Sequence, residues 1–320
     1  MSYSLSSKIY IAGHKGMVGS ACWRLLEKHG YTNIIGKKST ELDLRNQRDV
    51  HAFVRQQKPD VIIDAAAKVG GILANNSYPY LFLMDNLQIQ NNLIEAAHQN
   101  NVSKFIFLGS SCIYPKQSTQ PINENELLSG PLESTNQWYA IAKIAGLKLC
   151  QAIRHEYNKD FVSLMPTNLY GSFDNFDLKS SHVLPAMIRK FHDAKINHHS
   201  DVTLWGDGTP LREFLHVDDL ARAVVLILEN KLQHSVYNVG SSQEVSIKNL
   251  ATTVQNVIGH KGNILWDSNK PNGTPRKLLD SSRIRQLGWT PNLNLEQGIK
   301  ETYQWFLENK SNLKQVRFEN

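Results

Sequence analysis

The sequence predicts an α/β protein: a doubly wound parallel sheet, Rossmann-like, with a smaller α/β lobe attached. Three observations predict it. Strand-like and helix-like segments alternate from residue 8 to about residue 170, the pattern of βαβ units joined by right-handed crossovers. The first strand runs into a glycine-rich turn that opens a helix, as dinucleotide-binding folds do. After Tyr170 the alternation gives way to an Asp-, Asn- and Ser-rich stretch at 171–181 that reads as a loop.

The elements follow in order. Residues 8–12 (KIYIA) are β-rich. Residues 17–29 place Val18, Ala21, Cys22, Leu25 and Leu26 at helical spacing. A second strand begins at 33–35, and a helix over 50–57 ends before Pro59. Residues 61–67 (VIIDAAA) are apolar enough for a strand buried on both faces. A long helix over 81–100 precedes a strand at 105–108, and a second over 139–156 precedes a strand at 161–165. The second half reads as helices over 184–194, 217–230 and 247–258, a glycine-rich turn at 205–210 and a strand at 236–239. Residues 310–320 are polar and read as a tail.

Composition narrows the function classes. With 320 residues, 41% hydrophobic and 20% charged, the chain can bury a core without disulfides or metal and is not of disordered composition. No apolar run approaches the ~18 residues of a membrane span, and the polar first eight residues lead straight into a strand, so neither a membrane segment nor a signal peptide is expected. Three cysteines, Cys22, Cys112 and Cys150, are too few for a disulfide framework and fit a cytoplasmic protein. A net charge of +6 without long Lys/Arg blocks points to an anionic small ligand rather than nucleic acid. The histidines lack ligand spacing, so no metal site is expected. No GxSxG or P-loop pattern is present.

The chemistry concentrates in three places. Gly13-His14-Lys15-Gly16-Met17-Val18-Gly19 is GxxGxxG between a strand and a helix. Its glycines permit a tight turn and close approach to a pyrophosphate, which the helix N-terminus then holds. No carboxylate follows Ile35 in Gly36-Lys37-Lys38-Ser39. Lys37, with Lys38 beside it and helped by Lys15, is therefore expected to meet a 2′-phosphate, which makes the cofactor NADP rather than NAD. Asp43 and Leu44 are expected at the adenine edge. Tyr139 and Lys143 form YxxxK on one helix face. The lysine is expected to lower the tyrosine pKa, making Tyr139 a general acid for a carbonyl. Ser110 stands at the end of the fourth strand, where open α/β sheets bind ligands.

Glycine loop, strand-end serine and YxxxK, in that order, resemble the extended short-chain dehydrogenase/reductase family, and the resemblance covers residues 8–310. Local stretches sharpen it: IAGHKGMVGSA (11–21), AAAKVGGI (65–72), LGSSCIYP (108–115), YAIAKIAG (139–146), MPTNLYG (165–171), REFLHVDD (212–219) and GTPRKLLD (273–280). These are similar to members that epimerise and reduce a GDP-keto-sugar. The resemblance implies an NADPH-dependent conversion of GDP-4-keto-6-deoxy-D-mannose to GDP-L-fucose. Cys112 and His182 match the acid/base pair that epimerises the carbons flanking the ketone. Ser110, Tyr139 and Lys143 match the set that holds and protonates the oxygen.

Further residues follow from the same resemblance. Ala66, Leu108, Gly109, Ser111, Pro166, Thr167, Asn168, Leu169 and His182 join the cofactor contacts. Lys190, Trp205, Arg212 and Asn272 match substrate contacts, and Arg276 or Lys277 would meet the two phosphates. Three departures stand out: Lys190 where the family often has Arg, Asn272 where it often has Asp, and Ser172-Phe173 where Pro is usual. The domains read as 1–170 for NADP, with segments near 211–240 returning to it, and 171–320 mainly for substrate. A homodimer is implied through the two long helices, whose Leu87, Leu93, Ile94, Ile144, Leu147, Leu149 and Ile153 exceed what one packed face needs. Two other readings stay open: a reductase or partial epimerase for another GDP-4-keto sugar such as a 6-deoxy-heptose, and a non-catalytic NADP-binding sensor.

Overall fold

The computed structural model describes residues 3–270 and 272–313. In chain order the first half contains β1 (Ile9–Ala12), α1 (Met17–Lys28), β2 (Ile34–Ile35), α2 (Gln47–Gln57), β3 (Val61–Asp64), α3 (Ile72–Ser77), α4 (Pro79–Gln99), β4 (Lys104–Leu108), α5 (Gln137–Tyr157), β5 (Asp160–Pro166) and β6 (Asn168–Tyr170). The second half contains α6 (Val183–Ile196), β7 (Asp201–Trp205), β8 (Leu211–His216), α7 (Val217–Glu229), β9 (Val236–Val239), β10 (Glu244–Ser246), α8 (Ile247–Ile258), β11 (Asn263–Asp267), β12 (Arg276–Lys277), α9 (Ser282–Arg285) and α10 (Leu295–Asn309).

Six strands form one parallel sheet in the order β2-β1-β3-β4-β5-β9. The chain reverses its winding between β1 and β3, the switch point where such sheets bind ligands. β1, β3 and β4 are buried along their whole length because helices cover both faces. On one face α1 and α7 pack together over Ile11, Ile63 and Ile106, with Val224 of α7 in the same core. On the other, α4 and α5 cover Ile62, Phe105 and Phe107 with Leu93 and Leu147. Each such fully buried aliphatic contributes ~1.5–3 kcal/mol. A third core, with Phe191, Leu250, Ile299 and Phe306, holds α6, α8 and α10 of the second lobe. There β8 is flanked by β10 and β12 and also pairs with β6, while β7 pairs with β11.

The structure departs from the sequence reading at several places. α2 starts at Gln47 because Asn46 caps it, its side chain accepting from the Asp49 N–H; that polar first turn carries no apolar signal. β3 stops at Asp64 instead of reaching residue 67. The Asp64 Oδ1 accepts the Ala66 N–H at 3.2 Å, a local side-chain turn that competes with the ladder. Leu93, Ile94, Leu147 and Ile153, read as surplus for a dimer interface, are buried in the protomer's own core. Residues 310–312, read as part of a tail, form a short helical turn, and 314–320 lie outside the described residues.

Candidate active site

The glycine loop is shaped for a close approach. Gly13 has φ +78°, and a Cβ there would lie 2.7 Å from the Ala65 oxygen. A Cβ on Gly19 would lie 2.3 Å from the Gly13 oxygen, so α1 packs directly on the loop. Gly36 leaves room for the His14 ring, which its own Cβ would meet at 2.4 Å. The first turn of α1, with Met17 and Val18, has no acidic residue and no side-chain cap. Its N–H groups and positive dipole end are left for phosphate, with Lys15 beside them. These residues fit a dinucleotide pyrophosphate.

Past β2 the picture differs from the sequence reading in one respect. Glu41 accepts from Lys37 Nζ at 3.1 Å and from the Lys38 N–H at 2.9 Å. Sequence reasoning missed this carboxylate because a turn brings it back beside Lys37. Asp43 is held by Arg45 through both carboxylate oxygens, and the Leu44 carbonyl accepts from Asn92. Ala66, Leu108, Gly109, Ser111, Pro166 and Thr167 all stand at or just beyond the C-terminal ends of β3, β4 and β5. Asn168 and Leu169 follow in β6, with Thr167 and Asn168 anchored on the Glu213 carbonyl.

Ser110, Cys112, Tyr139 and Lys143 are brought together. Ser110 begins the turn after β4, and its Oγ accepts the Cys112 N–H at 3.3 Å. Lys143 is buried on α5; its Nζ donates to the Leu108 carbonyl at 2.9 Å and lies 4.7 Å from the Phe107 ring centroid. It stands 5.8 Å from the Tyr139 ring centroid. The expected lowering of the Tyr139 pKa is not what the structure gives. Burial pushes this phenol up, and the nearby Cys112 and Asp64 push the same way. Tyr139 is therefore a phenol with its proton in place, the form a general acid needs. Burial lowers Lys143, with Asp64 the largest opposing influence. Burial also raises Cys112, opposed by Lys277, the Ser110 hydroxyl and Lys143.

His182 is the residue before α6, in a different part of the chain from the other four. Among the described residues it makes no hydrogen bond to the other four. Its ring meets solvent yet is crowded enough that desolvation lowers its pKa. Its loop is fixed by backbone contact: the Gly71 N–H donates to the Ser180 carbonyl at 2.9 Å, and a Cβ on Gly71 would lie 2.4 Å from the Ser181 oxygen.

The residues expected at the substrate line the second lobe. Lys190 Nζ donates to the Thr203 carbonyl, and Arg212 Nη1 to the Leu211 carbonyl, both at 2.8 Å. Burial lowers the pKa of each cation. Trp205 is exposed, with Lys270 Nζ 5.5 Å from its ring centroid. Asn272 Oδ1 accepts the Asp207 N–H at 3.0 Å. Arg276 is tied to both oxygens of Glu244, whereas Lys277 lines a cavity with Cys112, Glu133 and Asn136. Asp64, buried with Oδ2 unpartnered, was also missed; a single acid inside an apolar run was its signal. Away from the cleft, His216, Asp218 and Glu301 place ligand atoms within 4.8 Å of one another, although Asp218 there is paired with Arg24.

The sequence matches the NAD dependent epimerase/dehydratase family over residues 9–240. It is 55% identical over 307 residues to GDP-L-fucose synthase 1 of Arabidopsis thaliana, spanning 96% of this chain and 95% of that protein. It is 51% identical over 314 residues to the GDP-L-fucose synthase of Escherichia coli (strain K12), spanning 95% and 97% respectively. A GDP-mannoheptose C4 reductase from Campylobacter jejuni, solved with NADP bound, aligns at a TM-score of 0.87 and 36% identity, covering 95% of this chain and 99% of that one. The chain belongs to the NAD dependent epimerase/dehydratase family.

Proposed function

We propose that the protein is an NADPH-dependent epimerase-reductase converting GDP-4-keto-6-deoxy-D-mannose to GDP-L-fucose. The observation that carries this reading is the Cys112 thiol, two residues from Ser110 and electrostatically in touch with Tyr139 and Lys143. Carbonyl reduction needs a proton donor at the oxygen; it does not need an ionisable thiol beside it. Epimerisation needs two more acid/base groups, and a thiol can be one of them: one group must take a proton from the carbon next to the ketone and another must return one from the opposite face. Cys112 takes the proton, and His182, brought in by the loop before α6, returns one. The Ser110 and Tyr139 hydroxyls hold the enolate oxygen meanwhile. Bound NADPH supplies the hydride, and Tyr139 then gives its proton to the carbonyl oxygen. Lys143 keeps a positive charge beneath that oxygen, while Lys190 and Arg212 suit the two phosphates of the GDP-sugar.

Turnover of the 4-keto sugar in deuterated water, followed by NMR of the product, tests the reading. Deuterium at both carbons flanking the former ketone, in a product of L-fucose configuration, is the expected result. Protium retained at either carbon would instead assign the chain to reduction of another GDP-4-keto sugar.

We also read the protein as a cytoplasmic homodimer. The three cysteines are unpaired and buried, which suits a reducing compartment. No helix of the described residues is long and apolar enough to cross a membrane. The outer faces of α4 and α5 leave Met84, Trp138 and Ile141 exposed, which supports pairing through these helices.

A further inference from the structure

We infer that Lys277 is a positioning residue for the epimerisation: its ammonium stabilises the Cys112 thiolate across the small cavity that the two side chains line together. The inference rests on the proposed role of Cys112 and adds a residue that the reading above left aside.

The backbone delivers Lys277 to this place. β12 runs parallel to β8 with Lys277 opposite Arg212. The residues just after it are clamped to the loop that follows Cys112. The Ile122 N–H donates to the Leu278 carbonyl and the Asp280 N–H to the Ile122 carbonyl, both at 2.8 Å. The Leu278 N–H donates to Gln120 Oε1, also at 2.8 Å. A strand-like bridge joins Ile122 and Leu279. The cavity left between these segments is about 30 Å³, room for a water between the groups and little more.

The other charged groups around the thiol do not replace Lys277. Lys143, on α5, is turned to the Leu108 carbonyl and shared with Asp64. Tyr139, on the same helix, keeps its proton. Ser110 gives a neutral hydroxyl. Arg276 lines the cavity but is paired with Glu244, and Lys116 lines it from an exposed position and is not among the charges that act on the thiol. Glu133 faces Lys277 and favours its charged form, whereas Arg212 and burial disfavour it. The relation is mutual: Lys277 is the largest influence opposing the burial of the thiol, and Cys112 the largest opposing the burial of the ammonium. Burial makes both charges costly alone and less so as a pair.

The test reads the thiol directly, without substrate. The ultraviolet absorbance of thiolate is titrated against pH in the full chain, and the matching Cys112→Ser protein is subtracted to isolate one sulfur. Lys277→Met is expected to move the Cys112 midpoint up by about one pH unit, leaving roughly tenfold less thiolate at neutral pH. Lys277→Gln gives the same shift should the apolar variant fold poorly, and Lys277→Arg keeps the parent midpoint. Unchanged NADPH binding shows that each variant is folded. An unmoved midpoint in both neutral variants overturns the inference. So does a rise in KM for the GDP-sugar with an unmoved midpoint, which would make Lys277 a phosphate contact. A moved midpoint with undiminished deuterium exchange into the sugar upholds the Lys277–Cys112 pairing and overturns the epimerase role of Cys112 instead.

Discussion

Tyr139 and Asp64 show how burial, rather than neighbouring charge, sets the chemistry of single residues here. Removal of the Tyr139 hydroxyl takes away the proton donor and leaves the ring packed. Tyr139→Phe should therefore lose about two to four orders of magnitude in the reductive step, read as NADPH oxidation in a single turnover, with NADPH binding retained. Asp64 is 1% exposed, and burial raises its pKa to about 6. A carboxyl raised in the fold contributes stability below its unfolded pKa and loses it as pH rises through the folded value. Asp64→Asn should thus stabilise the protein by up to about 3 kcal/mol above pH 6, and not at all below about pH 4, in denaturant titrations at the two pH values. Lys37 carries the third residue-level prediction. NADPH should bind several-fold tighter than NADH, and Lys37→Ala should erase the difference in a fluorescence titration, since the lysine lies beyond β2 where a 2′-phosphate would sit. The glycine loop, Ser110 and YxxxK were legible because their chemistry follows from local order. Asp64 and the place of Lys277 beside Cys112, rather than at the phosphates, were not, because they depend on register: Asp64 lies opposite Phe107 in the adjacent strand, and Lys277 opposite Arg212.

Between elements, the contact of the loop before α3 with the loop before α6 decides where His182 stands. Gly71 has no space for a Cβ beside the Ser181 oxygen. Gly71→Ala must push the 180–182 backbone away, and a displacement on the order of 1 Å can lower a rate ~100-fold. The expected outcome is a large loss of deuterium exchange into the sugar with NADPH binding nearly unchanged, measured by NMR and by cofactor titration. A parallel fall in both would mean that the glycine serves general packing. The long helices α4 and α5 were legible from periodicity, and their ends moved by only a residue or two. β6, β10 and β12 have three, three and two residues, too short for alternation to register. They form because β8 presents them with an edge, which is a tertiary fact.

For the molecule as a whole, the exposed outer faces of α4 and α5 set the assembly prediction. A dimer is expected by light scattering at micromolar concentration, and charged substitutions at Met84 and Ile141, both exposed, should yield monomers that still bind NADPH. The layered architecture was legible from the alternation of elements, but the apolar surplus on the long helices was misjudged. A helix lying between a sheet and a neighbouring helix uses more than one face within its own protomer. The chain leaves the first sheet after β5, builds β7 and β8 in the second lobe, returns to lay down β9 against β5, and leaves again. The two lobes are therefore not separable modules. A fragment ending near residue 170 would lack the sixth strand and bare the β5 edge, a template for aggregation. Fusion, fragment complementation or domain exchange should respect that interleaving, and a circularly permuted chain opened at an exposed loop is a sounder design than a cut between the lobes.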